Sequence, residues 1–139
     1  LAILKPFLAA VLTIIVLDTI WLGFVATPFY LHSLSEVANI VDGRIQPVFW
    51  AAGVVYLFLG IGIMAFVLPN VLRVDQGGSV LMIFAKGALL GLVIYGVYDF
   101  TNLATLKQYP VLLAVADTTW GAFVCGAATV AASLVQSKR

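Results

Sequence analysis

Four stretches of this chain, residues 6–26, 47–68, 80–100 and 110–135, are each long and apolar enough to cross a membrane as a helix. A hydrocarbon core about 30 Å thick needs roughly 20 apolar residues at the helical rise. Charged residues make up 9% of the 139 and hydrophobic residues 63%, where a soluble chain carries about 25% charged. The expected fold class is therefore all-α, a four-transmembrane-helix bundle, with 1–139 as one integral membrane domain. Three of the spans start at or beside proline (Pro6, Pro47, Pro110), whose missing N–H costs nothing in a first helical turn. The first span follows Lys5 and has the look of a leader, but its apolar run is too long for a cleaved one, so a retained helix is expected.

The connections are short. In the first, Ser33-Leu34-Ser35-Glu36 fits a capping box, and Leu34, Val37, Ala38 and Val41 fall on one helical face before Asp42-Gly43 turns the chain. This spacing predicts a short interfacial helix between helices one and two, lying on the membrane surface. The second connection carries Gly77-Gly78, and the third, residues 101–109, is tight enough to make helices three and four an antiparallel hairpin. With four spans both termini share a side. That side holds Lys5, Arg73, Lys86, Lys138 and Arg139, against Arg44 and Lys107 on the other, so the positive-inside rule puts both termini in the cytoplasm.

Several classes of function drop out. The formal net charge of +1 has no basic run behind it, so nucleic acid is not an expected partner. Cys125 is the lone cysteine and His32 the lone histidine, which leaves no usual zinc set. No cofactor is identified. Nor is there a nucleophile elbow, a phosphate-cradling glycine loop or a histidine box, so catalysis is not the leading expectation.

Three carboxylates stand inside the spans: Asp18, Asp99 and Asp117. Each central Asp costs about 2.5–3.5 kcal/mol on insertion scales, which makes an intramembrane carboxylate a functional-site hypothesis. At about 1.5 Å per residue, Asp18 lies roughly 18 Å from the inner end of its helix and Asp117 roughly 10 Å from the outer end of its own. Both fall in the outer half. On helix three, Gly87, Gly91, Tyr95, Asp99 and Asn102 form one stripe facing protein, with Gly87-x-x-x-Gly91 allowing close approach. Asp117 shares a face with Trp120, Gly121, Cys125, Ala128 and Ala132. Asp18 is turned inward by energy alone. Asp99 is expected to pair with Lys107, and Asp18 and Asp117 are expected either to be held by indole or hydroxyl donors or to be protonated. The candidate ligand-binding residues are Asp18, Trp21, Tyr95, Asp99, Asn102, Lys107, Asp117 and Trp120, lining an acidic, aromatic cavity that opens outward. Trp50, near the start of helix two, reads as an interface anchor.

Asp18-Thr19-Ile20-Trp21-Leu22-Gly23 is echoed by Asp117-Thr118-Thr119-Trp120-Gly121 on an antiparallel helix, a local pairing rather than a full inverted repeat. Together with Tyr98-Asp99-Phe100-Thr101-Asn102-Leu103-Ala104-Thr105-Leu106-Lys107 and Pro110, these runs resemble the bacterial four-helix membrane family catalogued as domain of unknown function 2177. The resemblance covers nearly the whole chain. It implies four spans and a bacterial inner-membrane location, and it supplies no catalytic residues. The residues lead first to a site that binds a lipid, small amphipathic ligand or cation, with proton exchange at Asp18 or Asp117. An accessory subunit of a larger membrane complex is the alternative, and an enzyme acting on membrane lipid the third reading. Membrane lipids, and either a homo-oligomer or a larger complex, are the expected partners.

Overall fold

The computed structural model describes residues 2–136. Lys138 and Arg139, which enter the charge count of the termini, lie outside the described residues. Helix α1, Leu4–Ile20, widens into a π-turn at Trp21–Val25, and after a bend at Ala26 the short helix α2 covers Thr27–Ser33. Strands β1 (Ile40–Val41) and β2 (Arg44–Ile45) form a small antiparallel hairpin whose turn places Asp42 and Gly43 at positive φ. Helix α3, Phe49–Gly62, continues through a π-turn at Ile63–Val67 and a 3₁₀ turn at Leu68–Asn70. A second 3₁₀ turn, Val74–Gln76, leads to α4 (Val80–Thr105), and α5 (Val111–Val135) returns beside it.

Four segments, Leu4–Val25, Phe49–Gln76, Val80–Thr105 and Val111–Val135, are long and apolar enough to span a membrane. The bundle is all-α apart from the two-residue strands. The interfacial helix is present but sits earlier than its capping box indicates. Residues 27–33 are helical, started by Pro28 in the first turn, while 34–45 form turns and the hairpin. The Asp42-Gly43 turn closes β1 onto β2, and strand pairing satisfies the backbone that a helix over this segment would otherwise have satisfied. Helix α4 also runs past the expected 100 to Thr105, so Thr101, Asn102 and Thr105 are helical and the α4–α5 connection shrinks to residues 106–110.

Helix α5 is the centre of the bundle, packing along α4 and across α1, with α3 against α1. Glycines set these approaches. A Cβ at Gly91 would lie 2.7 Å from the carbonyl carbon of Gly121, one at Gly87 2.7 Å from the Cys125 oxygen, and one at Gly60 2.7 Å from Val11 on α1. Helix α1 buries Pro6, Ala10, Ile14 and Asp18, a stripe at strict four-residue spacing. In the half of the bundle that holds the termini of the chain, Ala10, Ile14, Leu59, Ile63, Val124, Ala128 and Ala132 form a continuous apolar core. Five threonine hydroxyls on the spans are satisfied within their own helices: Thr13, Thr19, Thr105, Thr119 and Thr129 each donate to the carbonyl four residues back, an arrangement that suits a setting where no water competes. Lys86 donates to the Asn70 carbonyl at 2.6 Å and ties α4 to the end of α3.

Candidate functional site

The opposite half of the bundle is polar inside. The ends of α1 and α4, the start of α5, and α2 meet there, and they bring Asp18, Asp99 and Asp117 together. All three are buried, Asp99 completely.

Asp18, near the end of α1, accepts from the Trp120 indole at 2.7 Å and takes a second bond from the Tyr56 hydroxyl of α3. Trp120 in turn stacks on Trp21 with ring centroids 4.5 Å apart and planes 7° from parallel. The Trp21 indole donates to the Tyr30 hydroxyl at 3.4 Å, and that hydroxyl donates to Asp117. The second oxygen of Asp117 accepts from Tyr98 at 3.2 Å. Asp99 accepts from Tyr109 at 2.9 Å and from Thr118 at 3.4 Å, and its carboxyl lies within hydrogen-bonding reach of Asp117. One connected network therefore runs from Tyr56 through Asp18, the stacked indoles, Tyr30, Asp117 and Asp99 to Tyr109 at the bundle end.

Tyr30 and Tyr109 lie beyond the spans, and both phenols are held neutral. Burial pushes Tyr30 above its ordinary value, and the charge of Asp117 and its hydrogen bond add to the effect. Burial pushes Tyr109 up to about 12, helped by its bond to Asp99.

The expected pairing of Asp99 with Lys107 does not form. Tyr109 and Thr118 occupy Asp99 instead, while Lys107 is exposed on the α4–α5 connection. The cause is local. Gln108 adopts φ +61 and reverses the chain in so few residues that Tyr109, not Lys107, folds back onto α4. Among the described residues the ion pair is Arg73–Asp75 in the other half of the molecule, and no cation pairs with the three carboxyls. Asn102 reaches the Tyr109 hydroxyl rather than a carboxyl. Tyr95 packs its ring onto Gly121 and edge-on to Tyr98. Of the eight residues expected at the site, Asp18, Trp21, Asp99, Asp117 and Trp120 belong to the network directly, Tyr95 and Asn102 flank it, and Lys107 lies above it. Tyr30, Tyr56, Tyr98, Tyr109 and Thr118 complete it and were not among those eight. Thr118 carried a signal, because Asp117-Thr118 echoes Asp18-Thr19. Tyr30 carried none: in an unbroken helix it would lie about 120° around from Asp18, and the π-turn with the Ala26 bend brings it back over the bundle.

Among the described residues no group of three or more His, Cys, Asp or Glu is placed to hold a metal ion. The arrangement offers a set of carboxyl acceptors enclosed by phenols and indoles, with an apolar core beneath it.

Fold and site together define a small polytopic membrane protein with a buried carboxyl–aromatic network in one half of its bundle. The family model described as "Predicted membrane protein (DUF2177)" matches residues 3–134, and the chain belongs to that family. No curated protein and no solved structure matches it.

Proposed function

We propose that this is a bacterial inner-membrane binding protein whose carboxyl–aromatic network, set toward the outer leaflet, takes the cationic or hydrogen-bond-donating head of a small amphipathic molecule or a cation, and exchanges a proton in doing so. One observation carries the reading. Three buried carboxyls are served by hydroxyl and indole donors and by no cation, among the described residues. A purely structural tie between helices is made with one such group. Three within one buried network, with Asp99 beside Asp117 and Asp18 reached through the indoles, repel one another unless protonated or joined by a positive ligand. The apolar core under the network supports binding from one face rather than passage through the bundle.

The test is native purification followed by mass spectrometry of what the protein retains, for the wild type and for Asp18→Asn and Asp117→Asn, each shown by its thermal melt to be folded. The expected result is one specific small molecule or cation held by the wild type and lost from both variants. Identical contents in all three overturn the reading, and recovery of all three as stoichiometric parts of a larger complex replaces it with the accessory-subunit alternative.

A further inference from the structure

Above the network, between α2 with its following turn and the α4–α5 connection, lies a cavity of about 410 Å³, within the range of small-molecule sites. Its two walls carry unlike charges. The α2 side contributes His32 and Glu36, and the connection contributes Lys107. Among the described residues neither Glu36 nor Lys107 makes an ion pair, so the charges face one cavity without neutralising each other. Leu106 and Leu112, at 48% and 67% exposure, add apolar surface to the same cavity where the candidate spans Val80–Thr105 and Val111–Val135 meet their connection. Tyr109 lines it as well, turned by the left-handed backbone of Gln108. A non-glycine residue in that conformation costs energy and persists where the surroundings require it.

We propose that this cavity is a docking site for a bilayer phospholipid with a zwitterionic phosphate–amine headgroup, the amine toward Glu36, the phosphate toward Lys107 and the first acyl carbons on Leu106 and Leu112. The unlike walls select a dipolar headgroup over an anionic one, because an anionic lipid satisfies Lys107 and leaves Glu36 facing like charge. The apolar surface beside them selects a lipid over the free headgroup. The headgroup contacts, Glu36 and Lys107, lie outside the buried network, which meets the cavity only at Tyr109, so the site stands or falls apart from the ligand proposed there.

The experiment adds dioleoyl-phosphatidylethanolamine, dioleoyl-phosphatidylglycerol or free phosphoethanolamine to the full chain in detergent and measures retention by native mass spectrometry. The wild type is expected to retain phosphatidylethanolamine about tenfold more tightly than phosphatidylglycerol, the size of one charge-assisted contact, and to hold free phosphoethanolamine weakly. Glu36→Gln and Lys107→Gln, both exposed and so expected to fold, should each reduce that preference to near parity. Asp18→Asn, a near-isosteric change inside the network, should leave it intact. Equal retention of the two lipids by the wild type overturns the proposal, as does binding of free phosphoethanolamine as tight as that of the lipid. Preference unchanged in both cavity variants also overturns it. Loss of the preference in folded Asp18→Asn overturns the separation of the two sites.

Discussion

Trp120 performs two tasks at once. Its indole N–H is a donor to Asp18, and its ring lies flat on Trp21. Trp120→Phe keeps most of the ring and removes the N–H, which leaves a buried carboxyl oxygen short of a partner, a loss of about 1–3 kcal/mol. The expected outcome is that much destabilisation in denaturant titrations of the detergent-solubilised protein, together with loss of the coupled circular-dichroism band that two parallel indoles produce. An unchanged band would show that the rings do not stack in solution. Tyr109 offers a test by pH. Its ordinary value is 10.0 and burial with the Asp99 bond takes it to about 12. A phenol that keeps its proton more firmly folded than unfolded contributes stability that is whole below the lower value and is lost as pH rises through the higher. The wild type should therefore lose stability between these values faster than Tyr109→Phe, as read by melting temperature against pH. Equal slopes would refute the Asp99–Tyr109 bond as the source.

Helices α4 and α5 meet through glycine, and the consequence of filling each position differs. At Gly91 an added Cβ runs into the Gly121 backbone, whereas at Gly96 its nearest neighbour is the Thr118 methyl at 3.6 Å, an ordinary contact. Gly91→Ala should thus cost about 1–3 kcal/mol by overpacking, while Gly96→Ala should be neutral within measurement. Equal tolerance of the two would mean the helices pack less closely than this. That the α4 stripe faces protein was legible in the sequence because Gly87, Gly91 and Asp99 recur at helical spacing. The α1 stripe of Pro6, Ala10, Ile14 and Asp18 has the same spacing, but on a helix apolar all round it does not stand out from its lipid-facing neighbours. Tyr30 and Tyr109 were not legible for a different reason. Each follows a local departure from helical phase, the π-turn after Asp18 and the left-handed Gln108, and spacing arguments carry no information across such a break. The capping box at Ser33 misplaced the interfacial helix because the Asp42-Gly43 turn closes a strand pair, Ile40–Val41 on Arg44–Ile45, instead of ending a helix.

At the scale of the whole molecule, one end carries the carboxyl network and the cavity above it, and the other carries the apolar core and the Arg73–Asp75 pair. Which end faces the cytoplasm decides where any ligand comes from. The cation count, led by Lys5, Arg73 and Lys86 within the described residues, favours the core end as cytoplasmic. Cys125 is fully buried, so it should stay unreactive and leave an added thiol as the sole reporter. Asn39→Cys reports the network end; the neighbouring Asp42 is less suitable because it sits at positive φ, where a cysteine is strained. Gln76→Cys, in the exposed turn before α4, reports the core end. A membrane-impermeant maleimide applied to intact cells should label Asn39→Cys and spare Gln76→Cys until the membrane is opened. The reverse pattern would turn the network toward the cytoplasm and overturn its proposed place in the outer leaflet.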